Sequence, residues 1–397
     1  PLEKCKGDCS CLIPGTQFYK YDSKGKMQGC IIEWVDDCIV AGTPEMVSEF
    51  RSWVNKDFAI RDYGLPTDFV GMQVQYDKTA GTMKLFQQKY IEKMAARYGI
   101  CGIETSQDLP TPMNYTVQLN PAIGNEPRAD ATEFRSIVGS LHFAAHSCRP
   151  DISATVSLLS RFLCDPTRSH LKQARHCLAY LYNTRKYGIT YTRDATVTVD
   201  EHIIIPPNTV VGFADATWAD DSATRKSQTG YVFLLNGAAV SWASQQQNHV
   251  AESSGEAEFR AYHAASKEAR SLRKLNDEFY HHTQSTTSSA SKTWTTIFSE
   301  KLTDQPPMLI YNDNKSTLQW LNNPCHHAKT KHIETPVLSV RRLVYEFKLL
   351  AAEYISTSVQ VADVMTKPLG KTKHWIHTRI MLGGRLPCPK TSQSEGG

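Results

Sequence analysis

The feature that most constrains this chain is the order of apolar patterns between about residues 203 and 366. VVGFADATWA reads as a strand, and TGYVFLLNGAAVSWAS reads as a hairpin. Asn236-Gly237 between its two apolar runs is the type I′ turn signal. Ser253-Ser254-Gly255-Glu256 fits a capping box that opens a long helix to about Tyr280. MLIYND follows as a buried strand and KSTLQWLNN as a short helix; HIETPVLSVRRLVYEFKLL holds another helix. LAAEYIS is a strand, and VQVADVMTK is a last helix. The order is β-β-β-α-β-α-α-β-α, which suits a central sheet flanked by helices.

Four acids occupy matching places in that order. Asp215 is on the first strand, Glu258 one turn into the long helix, Asp313 at the end of the fourth strand and Asp363 on the final helix. These positions can face one cleft. Four converging carboxylates do not all stay ionised without cations, which is the logic of a two-metal phosphodiester-cleaving site. The bland alternative is that structural acids have been picked from the 40 Asp and Glu present.

Upstream, residues 29–43 place two β-branched runs around Asp36-Asp37, a hairpin with acids at its tip. Residues 46–58 have helical spacing, 68–77 and 82–88 read as strands, and 89–100 form an amphipathic helix. A linker runs to about residue 130. Three helices follow, broken at Arg149-Pro150-Asp151 and at Cys164-Asp165-Pro166-Thr167, with Asp165 or Thr167 capping the third. Residues 283–296 are of low complexity and are expected to be mobile.

Composition excludes some classes. No run of 18 apolar residues exists, so no membrane span is expected. Eleven mostly isolated cysteines argue for a reducing compartment rather than a disulfide scaffold. Cys5, Cys9 and Cys11 lack an adjacent fourth zinc ligand, and Cys325-His326-His327 is equally weak. The net charge of +4 is mild, but Lys329, Lys331, His332, Arg341, Arg342, Lys348, Lys367, Lys371, Lys373 and Arg379 crowd the carboxyl-terminal stretch. Such a cluster tracks phosphates or forms a solvated face. The chain opens on Pro1 and in mid-pattern, so it is expected to be a piece of a longer translation product.

GFADATWADD, KSQTGYVFLLNGAAVSWASQQQ, SSGEAEFRA, IYNDNKST, TKHIE and VADVMTKPL together resemble the ribonuclease H domain of copia-type retrotransposon Pol polyproteins. EWVDDCIVAG resembles the Y-V-D-D polymerase motif of that family. FVGMQV, LFQQKYIEKMAARYGI, PTPM and the helical block from FRSIVGSLHF to LAYLYNT resemble the segments between. The resemblance runs from about Gly29 to Leu382. It implies an α/β (α+β) fold: a partial polymerase palm hairpin and sheet over 1–88, a helical thumb or connecting region over 89–200, and a ribonuclease H-like mixed five-stranded sheet with flanking helices over 205–382. A disordered tail is expected over 383–397.

The same resemblance implies hydrolysis of RNA in RNA–DNA hybrids by two divalent cations held by Asp215, Glu258, Asp313 and Asp363, with Mg²⁺ the natural ion and Mn²⁺ a substitute. Glu258 is preferred over Glu256, which is better explained as the capping-box residue. Ser254, Asn314, Lys315, Lys331 and His332 are candidate nucleic-acid contacts, as are Ser253 and Ser316; the Ser and Asn residues equally fit helix caps. Trp218 and Trp242 could stack on bases, though core or rim packing is commoner for Trp in such strands. Arg149, Arg161, Arg168, Lys172 and Arg175 are candidate phosphate contacts on the thumb.

Asp36 and Asp37 match the polymerase metal pair. The third acid of that site would lie in a D-V-x-x-A-F-L-like segment, and nothing in residues 1–28 resembles it. Trp34 replaces the usual Tyr near the primer end. The expectation is therefore a ribonuclease H, with RNA-directed DNA polymerase activity only in the full-length polyprotein. Expected partners are an RNA–DNA hybrid and primer-template, with a homodimer or the remainder of the polyprotein as protein partners. The expected location is intracellular, in a cytoplasmic virus-like particle or the nucleus. The alternative from another class is an inert retroelement relic or a domesticated nucleic-acid-binding protein.

Overall fold

A computed structural model describes residues 3–4, 16–23, 27–100, 109–280, 306–322 and 333–384. Lys331, His332, the 283–296 stretch, Cys5, Cys9, Cys11, Cys325, His326, His327 and the tail beyond residue 384 lie outside the described residues. The chain separates into two compact units. One holds residues 1–70 and 267–305, and the other holds 71–266 and 306–397.

The first unit contains a four-stranded antiparallel sheet of β1 (Glu3–Lys4), β2 (Thr16–Tyr21), β3 (Met27–Trp34) and β4 (Asp37–Gly42), in that order. Strands β3 and β4 form the expected hairpin, with Trp34 opposite Asp37. Its two-residue turn puts Val35 at φ 54°. Asp36 and Asp37 stand exposed at the tip. Helix α1 (Pro44–Val54) follows, capped by the Thr43 hydroxyl, which accepts from the Met46 amide. A short strand, β5 (Asp68–Phe69), ends this part of the unit.

In the second unit, β6 (Met72–Asp77) and β7 (Thr82–Phe86) form an antiparallel hairpin. Helix α2 (Gln88–Arg97) packs with α3 (Ala131–Ser147), α4 (Ser153–Ser160) and α5 (Arg168–Asn183) around Ile91, Phe134, Ile137, Leu141, Leu159 and Leu178. The helix ends follow the sequence: Asp130 caps α3, and Thr167, not Asp165, caps α5. His170 completes the α5 cap by accepting from the Thr167 amide through Nδ1. Asp165 instead pairs with Arg128 at 2.7 Å. The sequence reading did not foresee β8 (Gly188–Thr192), which pairs antiparallel with β7, nor β1, β2 and the short β9 (Val197–Thr198).

A short ribbon of β9 (Val197–Thr198) and β10 (Ile204–Ile205) leads into the main sheet. That sheet comprises β11 (Val211–Thr217), β12 (Gln228–Leu235), β13 (Ala238–Gln246), β14 (Met308–Asn312) and β15 (Leu350–Tyr354), in the order β13-β12-β11-β14-β15. Strands β11, β12 and β13 are antiparallel neighbours, whereas β14 and β15 run parallel to β11. The mixed five-stranded α/β sheet therefore stands as expected. At the β12–β13 turn Asn236 has φ 47° and Gly237 φ 100°, the two positive values that a type I′ turn demands.

The helices of this region are α6 (Ser254–Tyr280), α7 (Lys315–Asn322), α8 (Glu334–Arg341), α9 (Asp363–Thr366) and α10 (Lys371–Leu382). The sequence reading ended at α9 and did not foresee α10. Its sequence, KTKHWIHTRIML, has weak amphipathic patterning because His374, His377 and Thr378 are buried beside Met381 and Leu382.

Polar bonds join the helical block to this sheet. The Trp242 indole donates to the Ala145 carbonyl at 2.8 Å, and Gln228 donates to Ser157 at 2.8 Å. Arg161 donates to Gln228 at 2.7 Å. His374 on α10 meets the Asp151 carbonyl at 3.2 Å.

The candidate thumb contact Arg149 needs correction. It is wholly buried, donates twice to Asp151 at 2.9 and 2.7 Å, and reaches both the carbonyl and hydroxyl of Thr184. Tyr180 adds a hydroxyl to Asp151 at 2.7 Å. An arginine without exposed surface touches no phosphate. Arg161 pairs with Asp220 and Arg175 with Glu133, while Arg168 and Lys172 are exposed.

Candidate metal centre

The site lies at one end of β11 and β14, the parallel strands at the middle of the sheet. Asp215 is the fifth residue of β11 and pairs across to Gly230 on β12. The absence of a side chain at Gly230 is what lets α9 lie against the strand. A Cβ there would fall 2.6 Å from the Met365 Cβ and 2.7 Å from the Thr366 Cγ2. With α9 in place, the Thr366 hydroxyl donates to Asp215.

Glu258 comes from the second turn of α6. Ser253 caps that helix by accepting from the Glu256 amide at 3.2 Å. Glu256 reaches back to accept from the Glu252 amide at 2.9 Å and pairs with Arg260 at 2.7 Å. The capping role leaves Glu256 outside the site, while Glu258 points into it. Asp313 directly follows β14. Its neighbour Asn312 donates to the Ala214 carbonyl at 2.9 Å and to Glu258 at 3.1 Å, tying β14, β11 and α6 together. Thr357 donates to Asp313 at 2.6 Å.

These elements bring one carboxylate oxygen each from Asp215, Glu258 and Asp313 within 4.8 Å of one another. Asp215 and Glu258 are 2% and 7% exposed, so solvent does little to separate their charges. Burial pushes the Asp215 carboxyl up to about 7; Lys367 pulls it down and Asp363 adds to the rise. Burial, then Asp215 and Asp313, pushes Glu258 up to about 9. Burial is the main cause of both rises, and neighbouring carboxylates add to them.

Asp363 begins α9 and is fully buried, but it is outside the close group of three. Its two carboxylate oxygens meet different lysines: Lys367 lies 2.6 Å from Oδ1, and Lys373 on α10 bonds Oδ2. Burial opposes the charge on Asp363, yet these ammonium groups outweigh it and hold the carboxyl below its ordinary range. Lys373 also donates to the Thr357 carbonyl at 2.9 Å. The sequence reading counted both lysines only as members of a basic stretch. The Asp363 to Lys367 spacing of four was a helix-pair signal. Nothing local pointed to Lys373, because its partner lies on another helix.

The other candidates are dispersed. Ser254 is exposed in the first turn of α6. Asn314 caps α7 by accepting from the Thr317 amide at 3.1 Å, and the Lys315 ammonium sits 5.1 Å from the Tyr354 ring centre. Trp218 is 48% exposed while its indole donates to Ala251, and Trp242 is a packing residue. Trp34 is half-buried at the end of β3. Among the described residues, no third His, Cys, Asp or Glu joins Asp36 and Asp37 in a comparable group.

A mixed α/β sheet carrying a buried acidic triad compatible with a divalent cation defines the class of protein. Within it, the chain is similar to retrovirus-related Pol polyproteins of transposons. It is 30% identical over 350 residues to a retrovirus-related Pol polyprotein from transposon RE1 of Arabidopsis thaliana, a match covering 88% of this chain and 21% of that protein. It is 28% identical over 349 residues to the Pol polyprotein from transposon TNT 1-94 of Nicotiana tabacum, covering 86% and 23% respectively. The chain thus spans about a fifth of the length of these curated relatives. No family model matches it. Among solved structures, LC11-RNase H1 isolated from compost aligns over 40% of this chain and 93% of its own length, at 14% identity and a TM-score of 0.26. No helix among the described residues is long and apolar enough to cross a membrane.

Proposed function

We propose that this chain hydrolyses the RNA strand of RNA–DNA hybrids with divalent cations bound at Asp215, Glu258 and Asp313, beside Asp363. The observation that carries this reading is the convergence of three carboxylates from a strand, a helix and a strand end, two of them buried and, among the described residues, without a cationic side chain bonded to them. The donor set is all oxygen and suits a hard ion, Mg²⁺ by preference with Mn²⁺ as substitute. A bound divalent cation supplies Lewis-acid charge to the phosphodiester and the attacking water.

The protein's own groups do the rest. Asp215 is anchored by Thr366 and Asp313 by Thr357, so the oxygens are oriented before an ion arrives. Glu258 must release its proton to join the ligand set, and the Asn312 amide holds the carboxylate that results. Ser254, Asn314 and Lys315 sit on the first turns of α6 and α7 as contacts for the hybrid, and the shallow groove of a hybrid is read through backbone and 2′-hydroxyls. DNA synthesis is proposed for the longer polyprotein only, with Asp36 and Asp37 as two of its metal ligands and Trp34 near the primer. The proposed place of action is a virus-like particle or the nucleus.

The test uses the full chain, Mg²⁺ and an RNA–DNA hybrid labelled on the RNA. Cleavage that needs the ion and disappears in Asp313→Asn is expected. Absence of cleavage, or cleavage indifferent to that substitution, rejects the reading.

A further inference from the structure

The fourth acid is in a different electrostatic state from the other three. Asp363 is fully buried; Lys373 on α10 bonds its Oδ2, and Lys367, just after α9, forms an ion pair with Oδ1 at 2.6 Å without a hydrogen bond to that oxygen. Lys367 and Lys373 keep 37% and 34% of their side chains exposed, so both ion pairs border solvent. The clamp is also wired to the triad. Lys373 donates to the Thr357 carbonyl, and the Thr357 hydroxyl donates to Asp313. On the other side, Thr366 bonds both Asp215 and the Asp363 carbonyl.

Charge balance then favours a particular occupancy. Four carboxylates and two ammoniums leave two negative charges, which one divalent cation at the triad neutralises. A second divalent cation would have to displace lysines from a buried carboxylate at hydrogen-bonding distance, which leaves two ammoniums without a counter-charge.

We propose that Lys367 and Lys373 hold Asp363 in place of a second divalent cation, so that the site takes a single ion at Asp215, Glu258 and Asp313 and offers two ammonium groups to the phosphodiester beside it. The inference rests on the metal-site reading above, and it departs from the two-ion arrangement that the sequence resemblance implies. Lys367 and Lys373 become positioning residues for Asp363 and a source of positive charge for the substrate.

The experiment counts ions rather than turnover. Mn²⁺ bound to the full chain is measured by electron paramagnetic resonance, alone and with a fully 2′-O-methylated RNA–DNA hybrid, after subtraction of ions bound to the hybrid. One ion per chain is expected in both states. Lys367→Met with Lys373→Met should raise the count to two. Asp363→Asn leaves both ammoniums without their counter-charge beside the triad, so it should weaken Mn²⁺ binding at the single site and add no second ion. Lys367→Arg, which preserves charge, should also keep one ion and guards against a folding defect in the double variant.

Two ions in the unaltered chain with hybrid, or an unchanged count in a folded double lysine variant, overturns the proposal. So does a second ion in Asp363→Asn. If the chain binds one Mn²⁺ and follows this pattern yet cleaves no hybrid, the nuclease reading fails while the clamp stands. If it cleaves hybrid but binds two ions, the clamp alone fails.

Discussion

Two groups of charges are buried within the second unit, and they are built on opposite principles. Arg149 and Asp151 form a bidentate pair, with Tyr180 and Thr184 filling the remaining bonds. Asp151 is held below the ordinary carboxylate range because Arg149 outweighs the burial that opposes its charge. Asp215 and Glu258 are nearly as buried, but burial and like charge push them the other way. The first cluster is electrically complete and serves the fold. The second is incomplete, and in the proposed function a cation completes it. Burial of a charged side chain is therefore uninformative about function until its neighbours have been summed.

The contrast can be broken most sharply at the incomplete site. Asp215→Asn should cut RNA cleavage at least about a thousandfold, about 4 kcal/mol of barrier. The metal-free protein should unfold at the same temperature or higher, since a buried charge conflict has been removed. Asp36→Asn should leave cleavage unchanged. A melting temperature that falls along with activity in Asp215→Asn would mean that the triad is structural.

The complete site should behave in reverse. Arg149→Ala leaves Asp151 buried without its partner and should cost about 3–5 kcal/mol in denaturant unfolding. Arg149→Met combined with Asp151→Leu should recover most of that loss. Similar stability for the single and double variants would refute the view of Arg149 as a paired core residue.

A smaller effect is expected at Gly230. Gly230→Ala places a methyl against Met365 and Thr366 and should cost about 1–3 kcal/mol through overpacking. Cleavage should fall further than stability does, because α9 holds Thr366 on Asp215. Equal activity per folded molecule would argue that α9 packing does not set the site.

The mildest probe is pH. Glu258 has a folded value raised to about 9, so between about pH 4.5 and 9 the folded chain keeps a proton that the unfolded chain has released. The associated stability is full below the unfolded value and is lost as pH rises, by up to about 1.4 kcal/mol per unit. Melting of the chelator-treated protein from pH 5 to 9 should show that decline. Glu258→Gln should remove the part of it above about pH 7, leaving below that the part due to Asp215, raised to about 7, and Mg²⁺ should offset the decline increasingly toward high pH. A slope that Glu258→Gln leaves intact assigns the titration elsewhere.

Much of the site was readable because its residues sit at local landmarks. Asp215 lies in a strand and Asp313 at a strand end. Glu258 was separable from Glu256 because a capping box explains the latter. The element order and the Asn236-Gly237 turn were likewise local. What escaped depends on distant partners. Arg149 follows a helix and precedes a proline, where an exposed basic residue is the ordinary expectation; only Asp151, Tyr180 and Thr184 around it make burial tolerable. Helix α10 hides its inner face because His374, His377 and Thr378 fill positions usually taken by aliphatic residues. Strand β8 is five residues long and gains its meaning from β7, about 100 residues earlier.

The Trp242 indole N–H on Ala145, with Gln228 on Ser157 and His374 on Asp151, has a bearing on how such elements evolve. A segment carrying the five-stranded sheet, exchanged between polyproteins by recombination near residue 205, would arrive with three polar groups lacking their acceptors or donors. Crossovers there are penalised unless the incoming segment finds the same carbonyls and hydroxyl on the resident helices. The helical block and the five-stranded sheet of this chain should therefore share one genealogy, and trees drawn from residues 131–183 and from 211–382 should agree.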